Sequence, residues 1–435
     1  MSRKWAPIVT WGTDRKYKKV ESFLLRPAVE EKAMDVAAAV LADVRERGDK
    51  AVVEYARRFD RSNISSRSMK VTPAEIAAAK KAVDADFKQA AKEAHKRIVA
   101  FSKNGLRDDW QMATPKGGSL GERFVPFDRV GAYIPGGAAP LASTALMTLT
   151  LAKVAGVKEL VACSPADPDG KLNPYVLYAL DLAGATEIYK IGGIQAIGAM
   201  AYGTKTIGKV RKIVGPGGPY VTAAKRQVYG DVALDMVAGP SEIAVLCDSS
   251  ANPAYVAADL LSQAEHGTGS EKSLLITTSQ KQAEAVRAEI LKQAKTLSRS
   301  EPIYEVLEKG MLLVVVKNLS AGMKLCNLFA PEHMELMVKD PDQWINKVQN
   351  AGALFIGEWT PEAVGDFAAG PSHVLPTGGT AAYFSGLTVE DFRRRISLIR
   401  FTKEDLEETL PVVEAFGRVE TLDGHARSAT IRFEK

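Results

Sequence analysis

Residues 187–202 read Glu187-Ile-Tyr-Lys-Ile-Gly-Gly-Ile-Gln-Ala-Ile-Gly-Ala-Met-Ala-Tyr202. A short β-rich run over 187–191 stops at Gly192-Gly193, and apolar residues then recur at helical spacing over 196–202. That strand, glycine turn and helix form one unit of an α/β layer. Outward from it the alternation recurs, with strands at 130–134, 159–163 and 212–214 and helices ending near 151 and covering 174–182 and 221–228. Such alternation predicts a mostly parallel sheet with helices packed on it. Glycine and proline cluster after the strands, at Pro135-Gly136-Gly137, Gly192-Gly193 and Gly215-Pro-Gly-Gly218. Ligands of open parallel sheets bind at the carboxyl ends of strands, where glycine permits close backbone approach.

A second round follows, with strands at 242–247, 273–277, 312–316, 335–338 and 353–356 and helices over 253–265, 280–294 and 321–329. The two rounds share a pattern without a strict sequence repeat. Before them lies an alanine- and charge-rich helical region, over 28–59 and from Pro73 to about Phe101, in which no chemistry is evident; His95 reads there as an exposed helix residue. After about Phe384 the pattern is helical again, through 389–394 and 403–416, and the chain closes on a strand-like run at 429–433. Arg393-Arg394-Arg395 reads as a solvated helix end.

Composition narrows the function classes. Over 435 residues, 46% hydrophobic and 25% charged residues describe a globular protein long enough for two or three domains. A net charge of +5 without a Lys/Arg block gives no case for nucleic acid or an anionic membrane. Cys163, Cys247 and Cys326 are scattered through apolar runs, which predicts reduced core thiols and no thiolate zinc site. The N-terminal residues lack the apolar core of a signal peptide, and the most apolar stretch, 140–157, is too short and polar to span a bilayer. A cytoplasmic protein is expected.

Four of the five histidines stand in compact polar clusters. Gln263 and His266 are three apart at a helix end, hence on one face and able to offer ligands to a metal; a plain polar helix terminus capped by Gly267 is the other reading. Glu332-His333 follows Pro331 at the mouth of a strand, where a histidine beside a carboxylate suits general base chemistry, or forms a solvated pair. Asp366 and His373 belong to a Gly/Pro-rich loop reaching Gly379, and long loops of this kind are usually functional or mobile. Glu420 and His425 lie in the tail and serve a site only if the tail packs back onto one. Phosphate-loop motifs are absent; Gly267-Thr-Gly269 follows a helix and lacks the third glycine of a dinucleotide fingerprint.

Together these clusters resemble the histidinol dehydrogenase family over nearly the whole chain. The likeness is carried by Arg26-Pro27, Arg47-Gly-Asp49, Val130-Gly-Ala-Tyr-Ile-Pro-Gly-Gly137, Gly193-Ile-Gln195-Ala-Ile, Ala238-Gly-Pro-Ser241-Glu242, Leu261-Ser-Gln263-Ala-Glu-His266, Ala330-Pro-Glu-His333 and Gly370-Pro-Ser-His-Val-Leu-Pro-Thr-Gly-Gly379. The resemblance implies an α/β fold of two incomplete Rossmann-like units with small helical N- and C-terminal parts. It implies a first α/β domain over 29–132 and 241–387, an inserted NAD-side domain over 133–240, a small helical domain from 1–28 and 388–412, and a tail, 413–435, reaching the partner subunit of a homodimer.

It also implies two cofactors, NAD and one Zn2+ per subunit, the metal held by Gln263, His266, Asp366 and His425. His333 becomes the general base, Glu332 the residue that activates water, and Ser241, His373 and Glu420 line a substrate pocket completed by His333 and the metal ligands. Tyr133, Gln195 and position 218 face NAD. The implied reaction is the four-electron oxidation of an amino alcohol through its aldehyde to the acid, that of histidinol to histidine at the end of histidine biosynthesis. Two departures stand out: Gly218 replaces the family's usual Asn, and Ser372 the common Asn before His373. A paralogue acting on another alcohol, such as a sulfonated diol, is the nearest alternative; zinc-dependent hydrolysis lacks an HExxH motif, and a non-catalytic descendant would have no reason to keep these residues.

Overall fold

The computed structural model describes residues 5–12, 17–26, 31–136 and 140–434. Pro27, Gly137 and the expected helix start at 28–30 lie outside them. Contacts divide the chain into two compact units: residues 1–105 with 127–392, and residues 106–126 with 393–435.

Among the described residues the larger unit contains two parallel sheets. One has six strands in the order Ile8–Trp11, Met311–Val316, Lys272–Thr277, Glu242–Cys247, His333–Met337, Ala353–Ile356. The other has five, in the order Glu187–Tyr189, Glu159–Cys163, Arg129–Tyr133, Lys212–Val214, Ala233–Leu234. Every residue of Glu242–Cys247 is buried, as expected of a central parallel strand covered on both faces. The helix Glu31–Arg47 buries Ala33, Ala37, Val40, Leu41 and Val44, spaced to one helical face, in a core shared with the five-stranded sheet and the helices Gly193–Tyr202 and Pro219–Val228. The three cysteines are buried free thiols.

The smaller unit holds a three-stranded antiparallel sheet in the order Arg393–Arg400, Ser119–Pro126, Trp110–Ala113, followed by the helices Lys403–Val419 and Asp423–Thr430. Thr402 and Asp405 form a reciprocal capping box that starts the first of these helices. Asp405 also accepts hydrogen bonds from the Lys116 and Gly118 N–H groups, which ties the hairpin to the helix.

Several local expectations are corrected here. Arg393-Arg394-Arg395 is not a helix end: these residues open a strand paired with Ser119–Pro126, and only Val389–Phe392 before them is helical, as a 3-10 turn. Alternation in Arg-Ile-Ser-Leu-Ile-Arg is weak because Ile396 and Ile399 are both exposed, so the period-2 signal is diluted. Residues 429–433 finish the helix Asp423–Thr430 and add a 3-10 turn, and are not a strand. His95 does lie in a helix, Ala85–Asn104, but half-buried. Among the described residues no helix is long and apolar enough to cross a membrane.

Candidate active site

The cluster around His333 sits at the amino edge of the six-stranded sheet. His333 is the first residue of its strand and pairs in register with Ile243 of the central strand. That is the opposite edge from the one expected of a parallel sheet, and the reason is the helix Pro253–Ala264. It follows the central strand, runs back antiparallel to it, and so delivers its last turn, with Gln263, to the strands' starting ends. Asn252 begins that helix by accepting a hydrogen bond from the Ala254 N–H (2.9 Å), with Pro253 at the first helical position.

His333 is buried. Its Nδ1 lies 3.1 Å from the Glu242 carbonyl oxygen, which has no proton to give. Nδ1 therefore carries the hydrogen of the neutral ring and Nε2 the lone pair. Nε2 has no hydrogen-bond partner among the described residues and faces Asp366 Oδ1 at 3.8 Å. Glu332 accepts a hydrogen bond from the Glu242 N–H (2.9 Å), and burial pushes its carboxyl up to about 8.

His266, Asp366 and Glu362 offer ligand atoms that all lie within 4.8 Å of one another. The Gln263 amide lies between the two rings, 3.1 Å from His333 Nδ1 and 3.2 Å from His266 Nδ1. A nitrogen donor, two carboxylates and an amide oxygen make a set suited to a borderline cation such as Zn2+. Asp366 is not in a loop as expected, but near the end of the short helix Glu362–Phe367.

Glu362 was missed by sequence reasoning. It stands four residues before Asp366, hence on the same helical face, and that spacing is the signal that could have found it. It is buried, accepts from Ser262 Oγ (2.7 Å), and its carboxyl is pushed up to about 8, first by burial and then by Asp366. Beneath it lie Glu335 and Asp259, two more carboxyls raised by burial, the latter to about 6.

The loop after this helix touches the helix Ala142–Val154 through His373 and Ser372. His373 Nδ1 lies 3.2 Å from the Asp366 carbonyl and Nε2 3.3 Å from Thr144 Oγ1; burial lowers its pKa. Ser372 donates to the Met147 carbonyl (2.9 Å) and accepts from the Val374 N–H (3.2 Å), so its hydroxyl is spent in tying the loop to the helix Ala142–Val154. Ser241 is half-buried immediately before the central strand.

The other sequence-selected residues gather at the carboxyl edge of the five-stranded sheet, as expected there. Tyr133 ends its strand and accepts through its hydroxyl from the Gly193 N–H (3.3 Å). Gln195 is fully buried, and its Oε1 is without a partner among the described residues. A side chain on Gly215 (φ 111°) would meet the Tyr133 carbonyl oxygen at 2.2 Å, so this turn requires glycine. Lys225, also unforeseen, holds the Gly215 carbonyl (2.8 Å) and pairs with Asp235, whose carboxylate takes the Gly215 N–H (2.7 Å). Around Gly218 there is open space for a side chain. An orphaned acceptor beside glycine turns fits a polar cofactor such as a dinucleotide.

Glu420 and His425 belong to the smaller unit, where both are exposed: Glu420 caps the helix Lys403–Val419, and His425 lies in the next helix.

Comparison with known proteins points to one family. The family model described as histidinol dehydrogenase matches residues 26–433. The histidinol dehydrogenase of Heliobacterium mobile is 42% identical over 416 residues, covering 95% of this chain and 97% of the relative. That of Rhodopseudomonas palustris is 45% identical, with 93% and 94% covered. The crystal structure of histidinol dehydrogenase from Elizabethkingia anophelis superposes with a TM-score of 0.93 at 34% identity, covering 99% of this chain and 98% of that one. The chain belongs to the histidinol dehydrogenase family of NAD-dependent oxidoreductases.

Proposed function

We propose that this protein oxidises L-histidinol to L-histidine through histidinal, in two successive NAD-dependent steps at one zinc site. The observation that carries the reading is His333 Nε2, a buried lone pair without a partner among the described residues that faces a ready-made donor cluster. Gln263, His266 and Asp366 would hold the metal together with His425 of the partner subunit, while Tyr133, Gln195 and the turn at Gly218 would meet the dinucleotide. When bound, zinc would anchor and orient the substrate, and NAD would accept the hydride of each oxidation.

His333 takes the hydroxyl proton as the alcohol is oxidised. Glu332 deprotonates the water that adds to the aldehyde, and oxidation of the resulting hydrate gives the acid. General base catalysis of this kind is worth roughly 10²–10⁴-fold. Ser241, His373 and Glu420 would line the substrate, Glu420 as the partner of the imidazole. Retention of the aldehyde at the site avoids release of a reactive intermediate. A homodimer with shared sites is supported by the smaller unit, which leaves Ile399, Phe416 and Val419 exposed on its surface.

The test is NADH production from L-histidinol by zinc-loaded protein run to completion. Two NADH per histidinol, lost on chelation, is the expected outcome. No NADH from a protein that binds both zinc and NAD would replace histidinol by another alcohol, with sulfonated diols next in line.

A further inference from the structure

The N-terminal helical region, in which the sequence shows no chemistry, sends one carboxylate to the dinucleotide edge. Asp60 ends a π-helical turn, Ala56–Asp60, and Arg61 after it has φ 55°. π turns are rare and recur at functional sites. A single oxygen of Asp60, Oδ2, accepts two hydrogen bonds at 3.1 Å: one from the Gly192 N–H and one from Gln195 Nε2.

This fixes which way the Gln195 amide points. A carboxylate has no proton to donate, so turning the amide over would set two acceptors against each other. With Nε2 committed to Asp60, Oε1 is directed to the other side. There it is buried, has no partner among the described residues, and lies against the Gly192-Gly193 turn: a Cβ built on Gly193 would stand 2.8 Å from it. Beside it the Tyr133 hydroxyl, already accepting from the Gly193 N–H, has its own proton to give. A buried acceptor left open costs free energy until a donor reaches it.

We propose that Asp60 is a positioning residue that sets the polarity of this edge: by holding Gln195 Nε2 and the Gly192 N–H, it presents Gln195 Oε1 as an acceptor for a hydrogen-bond donor of the nicotinamide dinucleotide, a ribose hydroxyl or the carboxamide NH2. The inference rests on the reading of Tyr133 and Gln195 as dinucleotide contacts. It adds a residue from a helix more than a hundred positions away in sequence.

The experiment is a fluorescence titration of NADH on the full-length protein, with KM for NAD, kcat and histidinol affinity measured in parallel. Asp60→Ala is expected to weaken NADH binding about three- to tenfold, the worth of a hydrogen bond to a buried acceptor, and to raise KM for NAD alike, with kcat at saturating NAD and histidinol affinity within about twofold. Asp60→Asn, whose amide oxygen takes the same two donors, is expected to recover wild-type affinity. Unchanged binding in Asp60→Ala, or equal loss in Asp60→Asn, would overturn the proposal. Should Asp60→Ala not fold, Asp60→Ser, too short to reach Gln195, is titrated in its place.

Wild-type protein that binds no NADH would instead remove the dinucleotide reading, and this proposal with it. Nicotinic acid adenine dinucleotide, which lacks the carboxamide NH2, and ribose-deoxy NAD analogues separate the two donors. Weakening by either identifies the group that meets Gln195, and tight binding of all of them overturns the assignment.

Discussion

His333 turns a buried Nε2 toward the carboxylate of Asp366, 3.8 Å away, while its Nδ1 is anchored to the Glu242 carbonyl. The anchor selects the tautomer, and the separation leaves the lone pair available to a proton between them. Replacing His333 by Ala is therefore expected to lower kcat about 10²–10⁴-fold while zinc content, read by atomic absorption, stays at the wild-type level. Loss of the metal along with activity would make His333 a ligand, not the base.

Glu332→Gln keeps an oxygen to accept from the Glu242 N–H but cannot take a proton. Its effect should fall on the water-dependent half of the reaction: histidinal oxidation slows by roughly 10²-fold or more, while the first hydride transfer from histidinol, followed in a single turnover, changes much less. Equal slowing of both steps would remove the assigned division of labour.

Burial raises Glu332 and Glu362 to about 8 and Glu335 well above its ordinary value. The folded protein thus holds protons that the unfolded chain has already released. Stability conferred by the neutral carboxyls is complete below the ordinary carboxyl range and is lost as pH rises from about 4.5 toward about 8. Metal-free protein, kept in chelator, should melt several degrees lower at the top of this window than near its foot, and added zinc should reverse most of the loss by binding the folded state. A flat melting temperature across the window would show that these carboxyls ionise without penalty.

Gly218 has open space where a Cβ would stand, and its extended backbone precedes the helix Pro219–Val228. Gly218→Asn can cap that helix and regain a side chain toward the cofactor. NAD affinity should rise about two- to tenfold, the value of one neutral hydrogen bond, with kcat little altered. Calorimetric titration of NAD decides it; unchanged affinity would place the cofactor away from this turn.

Mixing His425→Ala with His333→Ala protein tests whether sites are shared. If the partner's His425 completes each site, exchanged dimers contain one intact site and recover part of the wild-type activity. Absence of recovery, with subunit exchange confirmed by mass spectrometry, rules out sharing.

Most of the α/β layer was legible because each strand is a short apolar run stopped by glycine or proline and followed by helical periodicity. The strands Glu159–Cys163, Lys212–Val214, Glu242–Cys247 and Ala353–Ile356 lie where the sequence places them. The antiparallel strands Trp110–Ala113 and Ser119–Pro126 were not seen, since Trp110 and Met112 are exposed and leave no inward-facing alternation to read. Glu362 and Asp60 went unnoticed for a different reason: a lone acidic residue on a helix looks like solvated surface until tertiary packing buries it.

The sequence by itself determined the period of each element, and with it the α/β class, because side-chain spacing along a helix or strand is a local property of the backbone. It also determined which residue types were available for the chemistry. Only the tertiary structure decided that Gln263 would arrive at the amino edge of the sheet, that the His333 Nδ1 would meet a carbonyl and leave Nε2 open, and that Asp60 would reach across to Gln195. Those are relations between atoms far apart along the chain. They exist only once burial of the apolar faces has fixed where each helix ends.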